Sequence, residues 1–348
     1  MQPELSLPMQ DKAASQRNFF PATGSKFEPL LIKTLCEPLL PYIPARVHPN
    51  TISLIKHGVV WTTALLAFAS VTLTPLGKAL ALIGAGIGMF ASMIGDCLGS
   101  LHARRTQQSA QLSVVMDYWL DALVVPLAAA GIAVALQMPA WALVTVTVTA
   151  AMIYNAQLVL YHHSGEFVHP EPVTGIEGQF GLSIGYIVLA GLLYCVDRRH
   201  AWLDMAVAAL AVGASIVQLR CSLFYYTKLG RALKEHLWFV ASCAGFAAAF
   251  LLRAIDLRFF LLAIVFTSFR ICGTYVIRTL MKEPYDGRDF SLLAFIAAIF
   301  VVHFGIKPAP LGALRLTNML AALSCAFVIA RNLQDLSRHY GALKPRTA

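Results

Sequence analysis

Charge is what this chain has least of: Asp, Glu, Lys and Arg together make 13% of its 348 residues, against 58% apolar. That balance excludes a single soluble globular core, which carries about twice as much charge. The seven cysteines, Cys36, Cys97, Cys195, Cys221, Cys243, Cys272 and Cys325, contain no Cys-x-x-Cys spacing. They signal neither a zinc site nor a disulfide framework and read as small buried hydrophobes. The first fifty residues hold no charged-then-apolar leader. Neither a soluble domain nor an internal repeat is evident, and without a basic-aromatic platform nucleic acid is not an expected partner.

What is present is a succession of long apolar stretches, near 53–74, 78–98, 113–136, 140–160, 179–196, 201–222, 237–252, 257–278, 289–305 and 311–330. The expected fold class is all-α, a polytopic integral membrane protein with about ten transmembrane helices. The stretch 237–252 is short enough to tilt or re-enter. Residues 27–48 are apolar but broken by Pro29, Pro38, Pro41 and Pro44, so they read as an interfacial amphipathic helix. Residues 1–26 read as a flexible tail, with Asn50 or Thr51 placed to cap the first span. The helical core then runs over 49–222, additional transmembrane helices over 223–332 and a basic cytoplasmic tail over 333–348.

The net charge of +9 follows from placement. With the N-terminus inside, about 19 Lys and Arg fall on the cytoplasmic side, Lys56 and Arg104 among them, against about 7 opposite. Both termini are therefore expected to be cytoplasmic, with basic connections lying against an anionic bilayer surface.

Between Asp96 and Asp121 the apolar sequence is interrupted by Asp96, Arg104, Arg105, Asp117 and Asp121. Carboxylates at membrane depth are costly and mark function by default. Asp117 and Asp121 stand at i and i+4, stacked on one helix face, where they repel unless a cation lies between them. Acids converging from two helices beside fixed cations suit a divalent metal holding a phosphate or pyrophosphate. Snorkelling, or pairing with Arg104 and Arg105, is the plainer alternative.

In order, the segment reads Asp96-x-x-Gly99-Ser100-x-x-Ala103-Arg104-x8-Ser113-x-x-x-Asp117-x-x-x-Asp121. This resembles the CDP-alcohol phosphotransferase signature D-x-x-D-G-x-x-A-R-x8-G-x-x-x-D-x-x-x-D, with the full spacing kept. Ala103-Arg104-Arg105-Thr106 followed by Ser109 is similar to the A-R-R-T-x-x-S run of the choline and ethanolamine phosphotransferases. So are Tyr161-x-x-Ser164-Gly165, Pro172-x-x-Gly175-x-Glu177-Gly178 and the entry Pro49-Asn50-Thr51-Ile52-Ser53.

The resemblance implies transfer of phosphocholine or phosphoethanolamine from a CDP-alcohol to a lipid acceptor such as diacylglycerol or ceramide. CMP is released, Mg²⁺ or Mn²⁺ is the implied cofactor and a homodimer the implied assembly. It makes 49–222 the catalytic core and its loop cytoplasmic. Asp96, Asp117 and Asp121 become metal ligands, with Asp121 also the base. Gly99, Ser100, Ala103, Arg104, Arg105 and Ser113 become the CDP-binding set, and Glu177, Tyr161 and Glu166 receive the cationic headgroup. Another alcohol (inositol phosphate, glycerol phosphate, serine) or a noncatalytic relative are the alternatives. Three departures stand out: the family's second aspartate is Gly99, the glycine after it is Ser100, and the later glycine is Ser113. His102 and the Ser100 hydroxyl are the nearest groups to compensate. Tyr118 stands where those enzymes carry a histidine.

Overall fold

The computed structural model describes residues 27–107, 111–164, 175–195, 201–285, 287–305 and 310–343. The flexible tail expected over 1–26, Glu166 in the loop and the last residues of the basic tail lie outside these. Among the described residues there is no strand, and ten long helices follow in order. They are α1 Pro49–Ala69, α2 Pro75–Thr106, α3 Gln111–Ala135, α4 Ala140–Ser164 and α5 Gly175–Cys195, then α6 Ala201–Leu229, α7 Leu233–Leu251, α8 Leu257–Met281, α9 Phe290–Gly305 and α10 Pro310–Leu343. A helix satisfies its backbone N–H and C=O groups internally, which lipid requires.

Eight runs are long and apolar enough to cross a membrane; one of them, Val207–Leu251, takes in most of α6 and all of α7, and α9 is apolar but shorter. Leu54, Ile55, Leu65, Leu80 and Ile87 are more than half exposed on the outer faces of α1 and α2. An apolar exterior around a bundle with buried polar residues is the arrangement of a polytopic membrane protein.

Two boundaries differ from the sequence expectation. α1 begins at Pro49, and its cap is His48, whose Nδ1 accepts the Asn50 N–H at 3.1 Å, in place of Asn50 or Thr51. Proline has no N–H to satisfy and its fixed φ suits the first helical position, so the helix starts there. Between α6 and α7 a single 3-10 turn, Gly230–Ala232, replaces a longer connection, and Gly230 turns the chain at φ +51°.

The first helices make one group: α1 packs on α2 and α3, and α2 packs on α5. A Cβ at Gly86 of α2 would lie 2.7 Å from Ile187 Cγ1 and 2.8 Å from the Ser183 carbonyl oxygen of α5. The small-residue face of α2 thus brings two helices close enough for Ser183 Oγ to donate to the Gly86 carbonyl at 2.7 Å. α8 is the most buried span and packs on α3, α4, α7 and α10. Its Arg270 is paired with Asp289 at 3.0 Å and with Asp335 at 2.5 Å, and also donates to Asn332. That mid-span arginine ties α8 to α10 and to the entry of α9, which is how a buried guanidinium is accommodated.

Before α1, a helical run passes through Glu28–Leu31, a π turn at Ile32–Cys36, Glu37–Leu39 and a 3-10 turn at Leu40–Tyr42. Its prolines withhold N–H groups from a regular ladder. Leu31 and Cys36 pack on Met93 and Cys97 of α2, and the Phe27 ring lies 4.6 Å from that of Phe180 on α5. Arg105 clamps its end by donating to the carbonyls of Leu40 at 2.7 Å and Ile43 at 2.5 Å.

α3 and α8 meet where Trp119 stacks on Phe269, ring centroids 4.9 Å apart, and donates to the Phe269 carbonyl at 3.0 Å. A Cβ at Gly273 would collide with the Trp119 ring. Gly273→Ala should therefore lower the melting temperature in detergent, at a cost of roughly 1–3 kcal/mol for overpacking. Gly58→Ala, with nothing within 4 Å of the new Cβ, should leave it unchanged or raise it slightly.

Candidate active site

Four helices bring polar side chains to one place. Asp96 comes from α2, Asp117 and Asp121 from α3, Lys56 and His57 from α1, and Gln179 from α5. The i, i+4 spacing of Asp117 and Asp121 aims both carboxylates toward α1. The Lys56 ammonium stands among all three acids, its Nζ 2.5 Å from Asp96 Oδ1, 3.5 Å from Asp121 Oδ1 and 3.6 Å from Asp117 Oδ1. The lysine side chain is 3% exposed, while the carboxylates keep 30–34% of their surface open. The charge that holds the cluster is buried, and the acids form its accessible rim.

Both faces of the acids are further engaged. Gln179 donates from Nε2 to Asp96 Oδ2 at 2.9 Å. His57 Nε2 lies 3.0 Å from Asp121 Oδ1, and its Nδ1 lies 2.6 Å from the Ser53 carbonyl oxygen. A carbonyl only accepts, so Nδ1 donates to the Ser53 carbonyl, and Nε2 faces Asp121 Oδ1.

The remaining expected residues are distributed around this cluster. Gly99, Ser100 and Ala103 lie on the last turns of α2, and Ser113 in the first turn of α3. At Gly99 an added Cβ would meet only Ile52 Cγ2, at 3.6 Å, so the position has room for a side chain. Arg104 is exposed at the end of α2. Arg105 has its fork committed to the Leu40 and Ile43 carbonyls. His102 is buried, its Nε2 paired with the Val47 carbonyl at 2.7 Å; that contact leads to the segment before α1, not to the acids. Glu177 lies in the first turn of α5. Tyr161, near the end of α4, places its ring 6.0 Å from that of Tyr118, the neighbour of Asp117.

Sequence reasoning missed Lys56 and His57, which it counted with or left among the ordinary residues of the first span, and also Gln179 and Glu28. One signal was available: α1 carries a lysine but no Asp or Glu, so its charge had to find acids on other helices. Glu28 stands beside the cluster: burial pushes its carboxyl up, Arg104 opposes the rise, and Glu177 and Asp96 add to it.

With the acids of two helices gathered at one point, the comparison with known families is decisive. The family model for CDP-alcohol phosphatidyltransferase matches residues 46–219, half of the chain. The chain belongs to that family. The match runs from just before α1 into α6 and so contains every helix that supplies the cluster, while α7–α10 lie beyond it. CDP-alcohol phosphatidyltransferases are enzymes that transfer a phosphoalcohol from a CDP-alcohol in phospholipid synthesis, and they generally use divalent metal ions.

As arranged here, the three carboxylates do not fit such an ion between them. The point shared by Asp96, Asp117 and Asp121 is filled by Lys56 Nζ, and both oxygens of Asp96 are already engaged. Mg²⁺ requires near-octahedral oxygens at about 2.0–2.1 Å.

Glu28 supplies a pH test. Its raised pKa means ionisation is resisted in the folded chain, so the stability this group contributes is full below the ordinary glutamate range and is lost as pH rises through the folded value. Glu28→Gln should raise the melting temperature at neutral pH, and that gain should vanish below about pH 4. A gain that is the same at both pH values would contradict the assignment.

Proposed function

We propose that this CDP-alcohol phosphatidyltransferase moves phosphoethanolamine or phosphocholine from the CDP-alcohol to the hydroxyl of a neutral lipid, diacylglycerol or ceramide. The observation that carries the reading is the convergence of Asp96, Asp117 and Asp121 within reach of one another, with a third of each side chain accessible. The lipid hydroxyl oxygen attacks the phosphorus that bears the small alcohol. The bond from that phosphorus to the bridging oxygen breaks, CMP departs with that oxygen, and Asp121 takes the hydroxyl proton. Asp121 suits this work because Lys56 and His57 both meet its Oδ1, which fixes the carboxylate's orientation. Arg104 presents a planar fork suited to phosphate oxygens on the leaving CMP.

Glu177 and Tyr161, with Glu166 beyond the described residues, are the groups proposed to receive a quaternary or primary ammonium by charge and aromatic face. Both termini are proposed to lie on the cytoplasmic side, a reading supported by the Lys and Arg bias.

A second reading, a relative that holds a CDP-alcohol without turning it over, draws on two observations: the cation among the acids is a lysine, and the second acid of the motif is Gly99. One assay separates the two. Purified protein in nanodiscs with diacylglycerol or ceramide, given CDP-ethanolamine or CDP-choline with and without Mn²⁺, should release CMP. Binding of either nucleotide with no CMP in any condition supports the second reading and overturns the first. In the active protein, Asp121→Asn should lower turnover by about 10²–10⁴-fold with little change in CDP-alcohol affinity. Glu177→Gln should instead raise KM for the CDP-alcohol by about tenfold, close to 1.4 kcal/mol of binding.

A further inference from the structure

The cluster contains a cation of its own, and its surroundings hold that cation in place. Lys56 is 4% exposed. Its stem lies against α2 so closely that a Cβ at Gly95 would come within 3.2 Å of Lys56 Cβ and 3.3 Å of Lys56 Cγ. Swinging the ammonium out of the acids would leave it unpaired among apolar helices, which is far costlier than remaining where it is. It reaches one oxygen of each carboxylate, so a single charge contacts all three acids. These are the contacts through which a shared metal ion would be held.

The count of charges points the same way. The three acids carry three negative charges, and Lys56 cancels one of them. At Gly99, where the family signature has an acid, there is room for a side chain and none is present. The signature's second acid is missing and an ammonium stands among the remaining three, so the site carries less of the negative charge that would hold a divalent cation. Two further side chains, Gln179 on Asp96 and His57 on Asp121, stand against carboxylate oxygens that a coordinated ion would need.

We propose that Lys56 is a built-in replacement for a divalent ion in this cluster, and that with the native side chain the three acids hold no metal between them. The proposal takes the cluster to be the phosphotransfer site, as above, but its test reads metal directly. It also goes beyond the family's general use of divalent ions, because it assigns the cation's place to a residue of this chain.

The test uses the full chain in nanodiscs, with Mn²⁺ binding followed by electron paramagnetic resonance and melting followed with Mn²⁺ or EDTA. The wild-type protein should show no saturable Mn²⁺ binding through the micromolar range and one melting temperature in both media. Lys56→Met should melt lower in EDTA, recover with Mn²⁺ and bind Mn²⁺ more tightly than wild type. The double variant Lys56→Met with Gly99→Asp should bind at least about a hundredfold more tightly, since each unit of charge is worth about tenfold or more at a partly buried site. Gly99→Asp alone adds a charge but leaves the ammonium in the ion's place, so its gain should stay well short of the double variant's. Micromolar Mn²⁺ binding by the wild type, or the full gain from Gly99→Asp alone, would overturn the proposal even if Lys56→Met does not fold. A negative CMP-release assay would leave these binding results standing, so failure of the functional reading and failure of this one are told apart.

Discussion

The interaction on which the site depends is an ammonium held against three carboxylates inside a helix bundle. Each partner alone is unfavourable there: one buried lysine without acids, or three neighbouring acids without a cation. Together they satisfy one another, and because Lys56 comes from α1, Asp96 from α2 and Asp117 and Asp121 from α3, the pairing also fixes how those helices lie. A rotation of α1 by one residue would turn Lys56 away from the acids by about 100°. The same charges that make a site therefore set its register.

The rest of the fold supports that register. α2 can come close enough to α5 for Gln179 to reach Asp96 only because its facing side has residues such as Gly86, over which Ile187 and the Ser183 carbonyl lie. α3 is braced from behind by Trp119 against Phe269 on α8. α8 is in turn pinned through Arg270 to Asp289 and Asp335. The helices beyond the family match thus buttress the acids without supplying any of them. At the other end of α2, Arg105 and His102 grip the segment before α1 through the carbonyls of Leu40, Ile43 and Val47. That grip sets the run carrying Glu28 beside Arg104 and Asp96.

Much of this was legible in the sequence, and what was not has a physical cause. Apolar length gave the helices, and the Asp96-to-Asp121 spacing identified the acids that meet, because an i, i+4 pair has only one face to present. Helix starts were less legible: His48 caps α1 because Pro49 can begin a helix, a choice made by backbone geometry that polarity alone does not reveal. Arg105, expected beside Arg104 to hold phosphate oxygens, donates to the Leu40 and Ile43 carbonyls, partners more than sixty residues away that no local pattern joins to it. Lys56 was counted with the surface cations because net charge records sign and not depth. Its partners lie 40 and 65 residues away in the chain, and no local pattern joins them.

A fixed ammonium differs from an exchangeable ion in what it can do for a diphosphate. It has a single charge, three donors and no vacant coordination position to offer substrate oxygens. Here those donors are directed at Asp96, Asp117 and Asp121. If Lys56 takes the ion's place as proposed, the positive charge that meets a nucleotide comes from outside the cluster. Arg104 is exposed at the end of α2 and is electrostatically coupled to Glu28. Burial raises the Glu28 carboxyl's pKa, and Arg104 opposes that rise. The segment before α1 thereby sets one carboxyl beside Arg104 and Asp96, although it supplies none of the three acids that hold Lys56.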